Sequence, residues 1–264
     1  MGIGKIAFVS VLLIAAATLK TATAQPSLAL ADSLTAAGAD PLALADAYSE
    51  AWEHQKAITT LVNWAIKCGK TPADAAILWR LARSRIDQGE NLTGEAALEL
   101  YERAQEEAWV ATVEDSLNAD AQQTLAIAYG RIALFKGVFK SAGLAKKVYY
   151  HAHRALALSD SMPRSCYILG RLHQELTAKP GFALSLMGLG WASEDSIGWY
   201  YERALRLNPN LIQTRVAFAE YTLHNKKDII LTKKLLEDAI HLPARDEQDV
   251  PAQTQAREML RKIG

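Results

Sequence analysis

The chain has 264 residues, 50% apolar and 22% charged, a balance that builds a folded core and excludes wholesale disorder. Lys plus Arg equals Asp plus Glu at 29 each, which argues against a nucleic-acid binder working through bulk electrostatics. Two cysteines exclude a disulfide framework and a cysteine-based zinc module, while only 15 Gly and 8 Pro beside abundant Ala favour helix over strand.

Residues 1–24 read MGIGKIAFVSVLLIAAATLKTATA: Lys5, an apolar run of 14 residues from Ile6 to Leu19, then Ala22-Thr23-Ala24. This is the pattern of an export signal with cleavage before Gln25. The run is short of the roughly 20 residues that span a bilayer, which disfavours the other reading, an uncleaved anchor with a firm membrane span. Cleavage removes Lys5 and Lys20 and no acid, so the mature chain, 25–264, carries a net charge of −2. The expected location is a bacterial periplasm or the medium. There Cys68 and Cys166 stand 98 residues apart without a motif; inert buried thiols are the expected state, and a disulfide is the other reading.

From Gln25 onward, apolar residues recur at spacings of three and four, the period of one helix face. Residues 26–37 should close the N-terminal end. First helices carry a large residue, then Leu and a small residue: Leu44/Ala45/Tyr48, Leu78/Leu81/Ala82/Arg85, Ala126/Tyr129/Gly130/Ala133, Cys166/Leu169/Gly170/His173. Second helices carry a small or branched residue, a large residue four later and Ala three after that. These are Ile58/Val62/Ala65, Ala97/Tyr101/Ala104, Val148/Ala152/Ala155, Ile197/Tyr201/Ala204 with Pro209 as the stop, and Thr232/Leu236/Ala239. The spacing is that of tetratricopeptide repeats, in which small residues let paired helices approach and large ones fill the gap to the next pair. The expected fold is all-α: a superhelix of about five helix pairs, closed by a helix over 249–262. A non-repeating bundle is the other reading. Three irregularities stand out: a linker over 109–118, WVATVEDSLN, six extra residues between Gly130 and Val148, and an apolar insertion within 174–193.

LWRLAR at 78–83, AYGRIALFKG at 128–137, HRALALSDSMPRSCYILGRLHQEL at 153–176 and SIGWYYERALRLNPN at 196–210 carry a wider likeness. Together with the ending LEDAIHLP…REMLRKI, they resemble the tetratricopeptide-like regulator of microtubule dynamics family and its bacterial relatives over roughly residues 40–262. The resemblance implies an α-α superhelix acting as an adaptor without catalysis. An export signal places the chain where there are no microtubules, so fold and binding role carry over and the microtubule partner does not.

No HExxH, CxxC, GxSxG or Walker sequence occurs, so no catalytic residue, cofactor or metal is assigned. His151 and His153 are two apart on a helix and point away from each other, and His173 takes a repeat position that wants a core aromatic. One column does suggest binding. The residue after each small first-helix residue, which should face the concave groove, is Asp46, Arg83, Arg131, Arg171 and Glu220. Four residues before the arginines stand Trp79, Ile127 and Tyr167. Three arginines about 10 Å apart could meet acids spaced roughly three residues apart on an extended segment. The expected partner is a protein or peptide, with acidic character. The competing reading leaves these arginines solvated or paired locally with acids such as Glu175. In the insertion, Phe182, Leu186, Met187 and Trp191 are either extra core or an apolar contact surface for self-association or an envelope lipid.

Overall fold

Helix boundaries follow the caps. In the computed structural model, which describes residues 25–69, 74–137 and 141–264, regular structure among the described residues is helical throughout. The export-signal reading of residues 1–24 lies outside them. Asp40, Asp74, Asn118 and Asp228 each accept a backbone N–H of the first turn they precede, satisfying donors that a helix start leaves open. They open α2 (Pro41–Glu50), α4 (Ala75–Glu90), α6 (Ala119–Lys136) and α12 (Ile229–His241). The remaining elements are α1 (Gln25–Ala36), α3 (His54–Lys67), α5 (Glu95–Glu114), α7 (Ala142–Leu158), α8 (Pro163–Thr177), the short α9 (Gly181–Leu186), α10 (Glu194–Leu207), α11 (Ile212–Tyr221, extended by a π turn) and α13 (Asp249–Ile263).

Five antiparallel pairs follow: α2/α3, α4/α5, α6/α7, α8/α10 and α11/α12. Each first helix also packs on the next (α2 on α4, α4 on α6, α6 on α8, α8 on α11), so the first helices form a continuous inner layer. The cores overlap rather than merge. One spans α2–α4, one α4–α7, one α6–α10 and one α10–α13, as expected where each unit buries its apolar face only against neighbours. Helix α13 packs on α11 and α12 and closes the C-terminal end, and α1 packs on α2 at the other.

The expected 109–118 linker shrinks to residues 115–118. Helix α5 runs to Glu114, because the stripe Tyr101, Ala104, Ala108, Ala111 continues at spacings of three and four and buries Ala111 against Ala75, Leu78 and Ala121. Gly89 lies inside α4, where a β-carbon would come 2.7 Å from the Tyr101 ring. Both cysteines are free; Cys166 is buried as expected, but Cys68 is exposed.

The insertion has a geometric origin. Tyr101 faces Gly89, seven residues past Ala82, whereas Tyr201 faces Gly170, which holds the place of Ala82 in its own pair. Helix α10 is therefore displaced by about two turns, ~10 Å, along its partner relative to α5. The vacated space beside the end of α8 is filled by the insertion, whose Leu184 and Leu189 pack on Leu176 and Ala145.

Candidate functional site

Within this frame the repeat phase turns Arg83, Arg131 and Arg171 inward from α4, α6 and α8. With Ile127 and Tyr167 they line one concave cavity of about 540 Å³. Its apolar wall includes Ile86, Met162, Ile168 and Leu172. Trp79 does not reach it. That ring packs among Ala75, Leu78, Ala111 and Ala121, with the Arg80 and Arg83 guanidiniums 4.3 and 5.2 Å from its centroid.

The arginines are not an uncompensated positive stripe. Arg83 Nη2 donates to Asp46 Oδ1 at 2.7 Å, and Arg171 donates to Glu175 at 2.9 Å and to Glu220 at 3.2 Å. Arg131 pairs with Glu90 at the end of α4. The column is thus partly self-complementary: its outer acids, Asp46 and Glu220, bind the arginines of the adjacent inner helices. Three arginines each free to take an external carboxylate, as the spacing suggested, do not exist in this form. Even the Nε atoms of Arg83 and Arg131, without a hydrogen-bond partner among the described residues, are buried beneath the cavity surface.

The cavity also holds residues that the repeat pattern did not single out. The connection between α12 and α13, residues 242–248, arches across the concave side from the fifth pair to the first, second and fourth. Trp52 Nε1 donates to the Arg245 carbonyl at 3.4 Å, His54 Nε2 meets Glu247 Oε2 at 2.9 Å, and Asn91 Nδ2 donates to the same oxygen at 2.6 Å. Arg164 Nη2, on α8, donates to Asp246 Oδ2 at 2.7 Å. The Arg164 side chain keeps 47% of its surface accessible, but it lines the cavity with Asp246 and is hemmed in by charges from several elements.

Burial tunes the acids here. Desolvation pushes Glu90 up to about 7 against the pull of Arg131, and raises Asp87 against Arg164. Asp87, Glu90 and Asp246 therefore share two guanidiniums, Arg131 and Arg164, in a confined polar patch. Among the described residues no group of three or more His, Cys, Asp or Glu could hold a metal ion. The only sequence sign of this patch was the acidic run Asp246-Glu247-Gln248-Asp249 between Pro243 and Pro251, and it pointed to no partner inside the chain.

The insertion divides. Trp191 packs at a tilt against Tyr149, 4.0 Å between ring centroids, and Met187 is half-buried against the Leu184–Leu189 cluster, so neither is a free contact surface. Phe182 and Leu186 are 73% and 85% exposed. His173 is buried beside Trp191 and Tyr200; desolvation lowers it to about 4, and its Nδ1 accepts the Ser193 N–H at 3.0 Å, so it is a neutral core imidazole. Among the described residues no helix is long and apolar enough to cross a membrane.

Comparison with known proteins gives likenesses of family and of fold. A family model described as regulator of microtubule dynamics protein 1-3 matches residues 41–182 and ends inside the insertion. Regulator of microtubule dynamics protein 1 of Pongo abelii is 27% identical over 227 residues, covering 82% of this chain and 69% of that protein. Among solved structures, a thermophilic tetratricopeptide-repeat protein of Thermus thermophilus aligns with a TM-score of 0.53 at 18% identity, over 90% of this chain and 98% of that one. At that identity the likeness is one of fold.

Proposed function

The chain belongs to the regulator of microtubule dynamics protein 1-3 family, matched over more than half its length, and from that premise we propose that it is a non-catalytic adaptor. It binds an extended segment of a partner protein in the concave groove of its superhelix. The single observation that supports this reading is the inner layer itself: three consecutive repeats direct Arg83, Arg131 and Arg171 into one cavity with an apolar wall formed by Ile127, Tyr167 and their neighbours. Apolar surface with a few convergent donors suits a main chain carrying carboxylates. The adaptor acts outside the cytoplasm, in a bacterial periplasm or secreted, after removal of residues 1–24. Under that localisation the role named for the Pongo abelii relative stays with that protein.

A photo-reactive amino acid at position 127 tests the groove. In cells it should trap a partner protein that the same group at Tyr150, 63% exposed on the outer helix α7, does not trap. Equal capture from both positions contradicts the groove.

One observation favours a second reading. Phe182 and Leu186 stand almost fully exposed on α9, which suits a scaffold that self-associates or meets an envelope lipid through the insertion. That reading expects vesicle binding or self-association that survives high salt and disappears in Phe182→Ser/Leu186→Ser, with groove binding unaffected.

A further inference from the structure

We propose that residues 242–248 are an intramolecular clasp over the groove, placing Asp246 in the cavity beside Arg164, and that the partner is a protein whose extended acidic segment enters by displacing it. The proposal rests on the groove-binding reading and adds the chemistry of the partner and the means of regulation.

The segment from 242 to 250, LPARDEQDV, is what such a ligand should look like: non-helical up to Gln248, with carboxylates at 246, 247 and 249. Its side chains do in cis what a partner's would do in trans. Asp246 takes a groove arginine, Arg164, and Glu247 is held by His54 and Asn91 at the turns between the paired helices of the first two repeats. These contacts are charged or polar, made at loop ends and at the first turns of helices. Another acidic segment can reproduce each of them, so exchange leaves no buried polar group behind.

The shape of the segment is set independently of the groove. Gln253 Nε2 donates to the carbonyls of Ala239 at 3.1 Å and Leu242 at 2.7 Å, which ties off the end of α12. Asp249 accepts the N–H groups of Arg245 and Asp246 at 3.0 Å each, which fixes the bend before α13. Ala252 and Ala256 keep α13 docked in the last core. Releasing the far contacts therefore opens the ring without unfolding a repeat. The receiving side is preformed. Trp52, whose indole reaches the Arg245 carbonyl, has φ 61°, a left-handed conformation held by the turn that ends α2, where the Trp52 N–H donates to the Ser49 carbonyl at 3.1 Å and the Glu53 N–H to the Tyr48 carbonyl at 2.9 Å.

The test uses the full chain, a fluorescein-labelled LPARDEQDV peptide and amide hydrogen exchange. In the double variant Asp246→Asn/Glu247→Gln, exchange at 242–248 should rise at least tenfold and peptide affinity should increase at least tenfold. Arg164→Gln in the same background should remove the gain. Unchanged exchange at 242–248 overturns the clasp and leaves the groove reading standing. Faster exchange without a gain in affinity overturns the acidic partner together with the groove reading on which it rests. A salt series on the unmodified chain decides if the variant loses its helical circular dichroism. Exchange at 242–248 should accelerate from about 0.05 to about 0.5 M salt, as screening weakens the ion pairs, while α4 and α6 stay protected. A salt-independent clasp contradicts the proposal.

Discussion

A β-carbon on Gly170 would lie 2.7 and 2.8 Å from two ring atoms of Tyr201, which is itself fully buried and held by its hydroxyl on Gln174 at 2.6 Å. On Gly130 the nearest atom would be Val148 Cγ2 at 4.0 Å. Gly170→Ala should therefore cost about 1–3 kcal/mol by overpacking, whereas Gly130→Ala should be neutral or stabilising by up to about 1 kcal/mol. Urea midpoints rank the two; equal midpoints would mean that Tyr201 does not press on α8. Glu90 makes a pH prediction. Its folded value of about 7 lies above the ordinary 4.5, so the folded state holds the proton more tightly than the unfolded chain. The contribution of Glu90 is then most favourable below about pH 4.5 and is lost as the pH rises to about 7, by about 3 kcal/mol at most. Chemical denaturation of the parent and of Glu90→Gln from pH 4 to pH 8 should show the parent losing ground to the variant across that window. A constant difference would mean that Glu90 titrates normally. At this scale the repeat phase made the inward turn of Arg83, Arg131 and Arg171 legible. The pairing of Arg171 with Glu175, named as the competing reading, is present; the pairings with Glu90 and Glu220 were not legible, because those acids come from neighbouring helices whose side-chain reach depends on packing.

Helix α10 and the insertion show what a pattern can carry at the level of elements. The spacing Ile197, Tyr201, Ala204 located the second helix of the fourth pair, and Ala204 is fully buried against Cys166 and Leu169. Ala204→Leu should overpack that contact at a cost of about 1–3 kcal/mol; an unchanged urea midpoint would remove the pairing of α8 with α10. The displacement of α10 along α8 had no local trace, since it depends on which residue Tyr201 meets across the pair. The insertion that fills the displaced space is a plug with one buried edge. Leu189→Ala should cost about 2–5 kcal/mol, and Leu186→Ser should stay within about 0.5 kcal/mol. Comparable losses at both positions would mean that Leu186 is buried as Leu189 is and that the insertion has no exposed edge. The 109–118 stretch misled for a plain reason. Trp109, Val110, Thr112 and Val113 have modest helix propensity, and only the Ala108–Ala111 contact with the neighbouring pair decides in favour of helix.

For the whole molecule, the order of five pairs and the capping helix were readable because each rests on contacts between neighbours in the chain. Ring closure was not, since Trp52 and Arg245 meet across 193 residues and no periodicity connects them. Closure turns an open groove into a cavity whose contents include the chain's own acidic segment. Amide hydrogen exchange with and without the partner trapped from position 127 separates binding in the groove from binding at the insertion. Adaptor binding in the groove predicts slower exchange along the inner helices α6 and α8 and faster exchange at 242–248. Protection confined to residues 181–191, with the inner helices and the 242–248 segment unchanged, would contradict it.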